Sequence, residues 1–271
     1  MTSRDRDHVS RAGWTLADWR HRLRNESATG EPATGEVFTA AELDGLEGPV
    51  RRHLAQAIAE GTPLTRCVEI TMRGSIKIGR WLPFRARQIL RPHDGFVWAA
   101  RVAGLISGSD RYLDGVGGMD WKLAGLVPVA QADGPDVSRS AAGRCGAEAI
   151  WLPTAMLPRF GVRWSAEDAD HITARHLVGD TPIEARCQLG PGGDIVSAVF
   201  DRWGDPDETG HWDWHSFGGT FTTQRTFAGL TIPSVGRLGW HYGTDRWEGG
   251  EFFRYQIADL QPLEPDRRRD P

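Results

Sequence analysis

From Arg66 onward the apolar residues of this sequence recur at every second position, and that period constrains the fold more than any other feature. Val68, Ile70, Met72, Ile76 and Ile78 alternate with Glu69, Thr71, Arg73, Ser75 and Lys77. This is the pattern of a β-strand with one face in a core and the other in water. Gly74 interrupts the strand, where a missing side chain permits a bulge or bend. Trp81-Leu-Pro83 reads as the turn into a second strand, Phe84 to Leu90. Phe96 to Val102 is apolar on both faces, which predicts a strand inside the sheet rather than at its edge. Leu105 to Leu113 and Trp121 to Val129 follow, separated by Asp114-Gly-Val-Gly-Gly118. Further strands are expected at His171 to Val178, Ile183 to Leu189, Ile195 to Trp203, Phe217 to Phe227, Thr231 to Trp240 and Phe252 to Leu260. About ten strands joined by mostly hairpin-length turns predict an α+β, mostly β fold: one strongly twisted antiparallel sheet, a half-barrel, rather than a parallel α/β fold.

Helical spacing is confined to three places. A short helix around Trp14, Leu16, Trp19 and Leu23 belongs to a polar N-terminal segment, 1–38, that continues into a linker over Ser27 to Glu36. Thr39-Ala-Ala-Glu42 has the form of a capping box. It precedes Leu43, Leu46, Val50, Leu54, Ala57 and Ile58, a run that Gly48-Pro49 is expected to split into two helices ending at Gly61. The third place, Arg144 to Trp164, breaks the series of strands. Ala147, Ile150, Trp151 and Thr154 share one helical face there, and Pro153 and Pro158 stop the helix. This segment is expected to lie as a central helical lid over the concave face of the sheet. Residues 39–262 make the expected single β-rich domain, and 263–271 a charged tail.

Composition narrows the partners. With 39% hydrophobic and 25% charged residues the chain has the make-up of an ordinary globular protein. A net charge of -4 supplies no attraction for the phosphates of nucleic acid or for an anionic membrane. No run approaches the ~18 apolar residues that a membrane span requires. No apolar stretch follows Met1, and Cys67, Cys145 and Cys187 are an odd number without paired metal-type spacing, so a cytoplasmic location is expected. Oligomeric state has no signal in the sequence. There is no Gly-x-Ser-x-Gly elbow, Walker loop or His-Glu-x-x-His motif, and no cofactor is expected.

An ordered series of short motifs is more specific than any one of them. It comprises Gly74, Trp81-x-Pro83-Phe84-x-Ala86, Gly95-Phe-Val-Trp98-x-Ala100, Tyr112-x-Asp114-Gly115-x-Gly117, Glu148-x-x-Trp151-x-Pro153, Val162-x-Trp164 and Ile232-Pro233 before Trp240. The series resembles an uncharacterised bacterial family, a domain of unknown function, across residues 40 to 260. The resemblance implies a sheet similar to the half-barrels of lipoprotein-localisation factors, which hold an acyl chain in the concave face. Gly143-Arg-Cys-Gly146 stands where the family pattern has an aromatic-leucine pair before the glutamate.

Twelve tryptophans, several set in alternating strands, are read first as core and sheet packing, with an aromatic ligand cavity as the alternative. Trp98, Trp121, Trp151, Trp164, Trp203 and Trp240 are the candidate ligand-contacting residues. Two functions are read from these residues, the first leading and the second its alternative. One is a cytosolic protein that binds a hydrophobic or aromatic small molecule in the concave face. The other is a cofactor-independent isomerase, cyclase or lyase, with Glu148 as general acid or base and Arg202 or Tyr112 stabilising developing charge. For Glu148 itself the structural reading, an ion pair with an arginine such as Arg202, comes before the catalytic one. His211-Trp-Asp-Trp-His215 would place His211, Asp213 and His215 on one face if extended, a partial shell for zinc or iron. The same alternation arises in an ordinary loop, and no fourth ligand is defined, so no metal is assigned. Asp114-Gly-Val-Gly-Gly118 reads as an Asp-capped loop, Asp120 and Lys122 as a local ion pair, and Cys187 as a small core residue.

Overall fold

The computed structural model describes residues 14–25, 32 and 35–264. Most of the expected linker from Ser27 and the tail beyond Glu264 lie outside the described residues. The sheet is mostly made of period-two segments, as expected, but it has thirteen strands in one antiparallel array. The first six are β1 (Val68–Ile78), β2 (Arg80–Arg91), β3 (Gly95–Val102), β4 (Ile106–Leu113), β5 (Val116–Leu123) and β6 (Val127–Asp133). The rest are β7 (Arg163–Ala166), β8 (His171–Val178), β9 (Thr181–Leu189), β10 (Ile195–Gly204), β11 (Asp213–Phe227), β12 (Leu230–Trp240) and β13 (Glu251–Pro262). The spatial order is β6-β5-β4-β3-β2-β1-β13-β12-β11-β10-β9-β8-β7. Two meanders therefore meet where β1 pairs with β13, and the chain must pass from one outer edge, β6, to the other, β7.

That passage determines where a site can form. Helix α3 (Pro135–Ala147) and 3-10 turns at Glu148–Trp151, Pro153–Met156 and Pro158–Phe160 make the crossing. Helix α3 packs against β3 to β6 in one half and β8 to β10 in the other, which requires the sheet to curl around it. The inner face carries Ile70, Phe96, Trp98, Ile257 and their neighbours in one large core. Alternate residues Ile89 and Val97 face outward and are covered by Trp19 and Leu23 of α1 (Leu16–Arg24). Thr15 and Asp18 close the start of α1 with a reciprocal capping box. A further helix, α2 (Gly48–Ala57), contributes Val50, Leu54 and Ala57 to the inner core and packs against β7, β8 and β12.

Several local expectations are corrected by turn chemistry. The first hairpin turns at Gly79, with φ at 67°, so Trp81, Leu82 and Pro83 are already in β2. The expected fifth strand, Trp121 to Val129, is two strands joined at Ala124-Gly125, whose φ values are 51° and 73°. Asp114-Gly115 is a two-residue turn with both φ positive, as a type I′ hairpin requires, and Gly117 and Gly118 belong to β5. Gly74 marks no bulge; the register shift lies between Thr71 and Met72. A side chain at Gly74 would meet the Arg254 carbonyl at 1.9 Å, so glycine there permits close approach of β13. Ile78, expected inside, is 50% exposed because β1 runs past the end of the core. Thr39 makes no side-chain cap and precedes a single 3-10 turn, Ala40–Leu43, while Gly48-Pro49 begins α2 rather than dividing a run.

The largest correction concerns the central helix. The regular α-helix ends at Ala147, and Ile150, Trp151 and Thr154 lie in 3-10 turns beyond it. Helix α3 buries Ser140, Ala141, Ala142, Gly143, Cys145 and Gly146, all small residues. A Cβ at Gly146 would sit 2.5 Å from Ile183 Cγ1. Gly146→Ala should therefore destabilise the fold by about 1–3 kcal/mol through overpacking. Helix propensity alone would give a gain of about 1 kcal/mol for the same change. Urea denaturation of the two proteins separates these outcomes by sign.

Candidate functional site

Helix α3 and the turns after it do not fill the curl completely. A cavity of about 210 Å³ remains between them and the inner face of the sheet. Its roof is Ala147, Ile150 and Trp151, and its walls are the inward residues of the sheet. From β10, β11 and β12 come Ala198, Phe200, Phe217, Phe221, Leu238 and Trp240, and from β1, β3 and β13 come Ile76, Trp98 and Phe253. The aromatic walls brace one another: Phe217 meets Trp240 edge-on at 5.0 Å between centroids, and Trp98 meets Phe253 at 5.9 Å. Trp151 is held from the roof by its Nε1, which donates to the Tyr255 hydroxyl at 3.3 Å. That hydroxyl donates in turn to the Pro233 carbonyl at 3.1 Å.

One end of the cavity is polar. Gln88, Trp98 and Asp110 are direct cross-strand partners on β2, β3 and β4, so all three face the roof. Arg144 of α3 donates through Nε to Glu148 Oε1 at 2.8 Å and through Nη1 to Asp110 Oδ2 at 2.7 Å. Gln88 Nε2 donates to Glu148 Oε2 at 2.5 Å, and Trp121 Nε1 donates to Asp110 Oδ1 at 2.9 Å. Each carboxylate oxygen thus has a donor. Burial works against the Arg144 cation, but Glu148 and Asp110 outweigh it and hold the group above its ordinary range.

Arg202 is the opposite case. It lies on the inward parity of β10, two residues after Phe200, and lines the same cavity. Its guanidinium carbon stands 4.8 Å from the centre of the Phe217 ring and 5.0 Å from that of Trp240. Its buried Nε has no acceptor among the described residues. Burial and the neighbouring Arg144 charge push its pKa down to about 10. Trp98, 2% exposed, has a buried Nε1 that likewise lacks an acceptor among the described residues.

Of the expected site residues, Trp98, Trp151, Trp240, Glu148 and Arg202 meet at this cavity. Glu148 is ion-paired, as the structural alternative required, although its partner is Arg144 rather than Arg202. The other expected residues are elsewhere. Trp121 sits behind Trp98 at 5.7 Å and serves Asp110. Trp164 donates to the Met156 carbonyl at 2.8 Å and packs beside His53 of α2. Trp203 donates to Asp136 and packs edge-on against Trp214, away from the cavity. Tyr112 is buried outside the cavity lining, and burial pushes its pKa up to about 12. Asp213 and His215 are in β11, not in a loop, while His211 precedes the strand. No group of three metal-ligating side chains forms among the described residues. Asp120 and Lys122 approach to 3.9 Å, and the Cys187 thiol is buried in the core.

Sequence reasoning missed Asp110, Arg144, Gln88 and the phenylalanine walls. A usable signal existed for two of them. Arg144 stands four residues before Glu148, the spacing of a helical ion pair, and Asp110 shares the inward parity of Tyr112 on β4.

Residues 36–252 match DUF6544, a family of unknown function. No curated protein matches the chain. Among solved structures the chain is similar to an outer membrane lipoprotein-sorting protein domain from Vibrio parahaemolyticus, at 10% identity and a TM-score of 0.42. That likeness covers 79% of this chain and 90% of the other. It is also similar to a LolA-superfamily protein from Nitrosomonas europaea, at 8% identity and a TM-score of 0.42, covering 82% of this chain and 96% of the other.

Proposed function

The chain belongs to the DUF6544 family of unknown function, and for it we propose the binding of a hydrophobic or aromatic small molecule in the cavity roofed by Ala147, Ile150 and Trp151. The cavity itself carries this reading. At about 210 Å³ the space is far larger than the residual gaps of a close-packed core. The space also exceeds by an order of magnitude the ~10–15 Å³ that seats one water. Its walls are apolar and aromatic and its polar groups gather at one end, the arrangement that orients a ligand. Both oxygens of Glu148 are engaged by Arg144 and Gln88, which suits holding the roof in place better than moving a proton. The proposal keeps the protein in the cytoplasm, a location supported by three cysteines that are all buried free thiols.

Titration with 1-aminoanthracene, a neutral apolar fluorophore, tests the proposal. Saturable one-to-one binding is expected, weakened at least about ten-fold, or about 1.4 kcal/mol, in Ala198→Trp, which puts an indole into the cavity. Circular dichroism checks that the variant remains folded. Absence of saturable binding to the wild type, or equal binding to a folded Ala198→Trp, overturns the proposal.

A further inference from the structure

Resting on the cavity-binding reading above, we infer that the ligand carries a carboxylate, received by Arg202 at the polar end of the cavity, with its apolar body against the aromatic walls. Hydrogen-bond accounting leads to this. An arginine presents five N–H donors and no acceptor. Arg144 uses its guanidinium on Asp110 and Glu148, and the other oxygens of those two carboxylates already accept from Trp121 and Gln88. Nothing comparable serves Arg202, whose Nε is buried and unpartnered among the described residues.

The geometry around Arg202 also selects the shape of the missing partner. Phe217 and Trp240 lie within cation-π distance of the guanidinium, so aromatic surface surrounds the cation and acceptors have to reach the edges that carry its N–H groups. A planar carboxylate meets such an edge with two parallel N–H···O bonds. Trp98 Nε1 is a second buried donor without an acceptor on the cavity wall. Among the cavity-lining residues the buried polar atoms without a partner, Arg202 Nε and Trp98 Nε1, are both donors, while the unpartnered acceptor Gln88 Oε1 belongs to a residue outside the lining, so a ligand that brings oxygen meets the need of the lining. A cationic head group would add to the charge of Arg202, and an alkanol would satisfy fewer of its donors. Burial and Arg144 already disfavour the Arg202 cation, and an anion bound beside it reverses that penalty.

Calorimetric titration with octanoate, octan-1-ol and octylamine separates the head group from the chain. Octanoate is expected to bind wild type at least about ten-fold tighter than octan-1-ol, which is about 1.4 kcal/mol, and octylamine more weakly than either. In Arg202→Met the octanoate affinity should drop to that of octan-1-ol, whereas Arg202→Lys, which keeps the charge without the fork, should retain part of the preference. Should Arg202→Met fail to fold, the three wild-type titrations and Arg202→Lys decide the matter. Equal binding of octanoate and octan-1-ol by wild type, or a preference for octylamine, overturns the carboxylate while leaving the cavity reading intact. Binding of none of the three overturns both.

Discussion

Arg144→Met is expected to lower the free energy of unfolding by about 3–5 kcal/mol at neutral pH, the usual cost of removing one partner from a buried charge cluster. The methionine has a similar volume and still packs near Phe96 and Trp98, so the loss is electrostatic rather than a cavity effect. Asp110 and Glu148 would keep only Trp121 and Gln88 as donors, and two carboxylates would face each other without a cation between them. The triple variant Asp110→Asn, Arg144→Met, Glu148→Gln should recover much of the loss, because no member of the Arg144 cluster is left charged without its partner. Chemical denaturation of the three proteins at pH 7 measures this. A triple variant no more stable than Arg144→Met would show that Arg144 acts by packing alone.

Acidification should reveal a second buried polar pair. His93 and His176 bring their Nδ1 atoms to 3.2 Å, and His93 Nε2 lies 2.8 Å from the Ala155 carbonyl. Burial, then the neighbouring His93, lowers the pKa of His176 from 6.5 to about 3, and burial likewise lowers that of His93. Both are therefore neutral in the fold at pH 7. The unfolded chain takes up protons near pH 6.5, whereas the folded His176 resists until about pH 3. Between those values the unfolded state binds more protons, so this contribution is present above pH 6.5 and is lost as pH falls. At about 1.4 kcal/mol per unit, His176 alone should remove roughly 3 kcal/mol between pH 6.5 and pH 4. His176→Asn should lose that much less over the same interval in urea denaturation. Parallel pH profiles would contradict the assignment.

The period-two strands were legible because in stretches such as Val68 to Ile76 apolar side chains alternate with polar ones. Trp98 and Trp240 came into view as tryptophans set in such alternating strands. The alternation could not distinguish an inward residue that lines the cavity from one packed solidly elsewhere on the same face. Trp121 illustrates this limit, for it stands on the inner face beside Trp98 and still falls outside the cavity lining. Which inward positions open onto space depends on how sharply the sheet curls and where α3 rests. Helix α3 itself escaped notice because its buried side consists of Ser140, Ala141, Ala142, Gly143 and Gly146. Small residues permit a close approach to β9, yet they produce no hydrophobic period. Hairpins at Ala103-Gly104, Ala124-Gly125 and Ala228-Gly229 place alanine at positive φ, a conformation alanine seldom adopts. The Asp114-Gly115 turn carries the usual Asp-Gly signal.

The central claim is that the space beneath Ala147, Ile150 and Trp151 is a ligand site, and native mass spectrometry of freshly purified protein tests it most directly. The account predicts wild type carrying one small organic molecule with an apolar body and a carboxylate, and Ala198→Trp carrying none. Bare polypeptide mass for both proteins, or the same adduct retained by a folded Ala198→Trp, would contradict it.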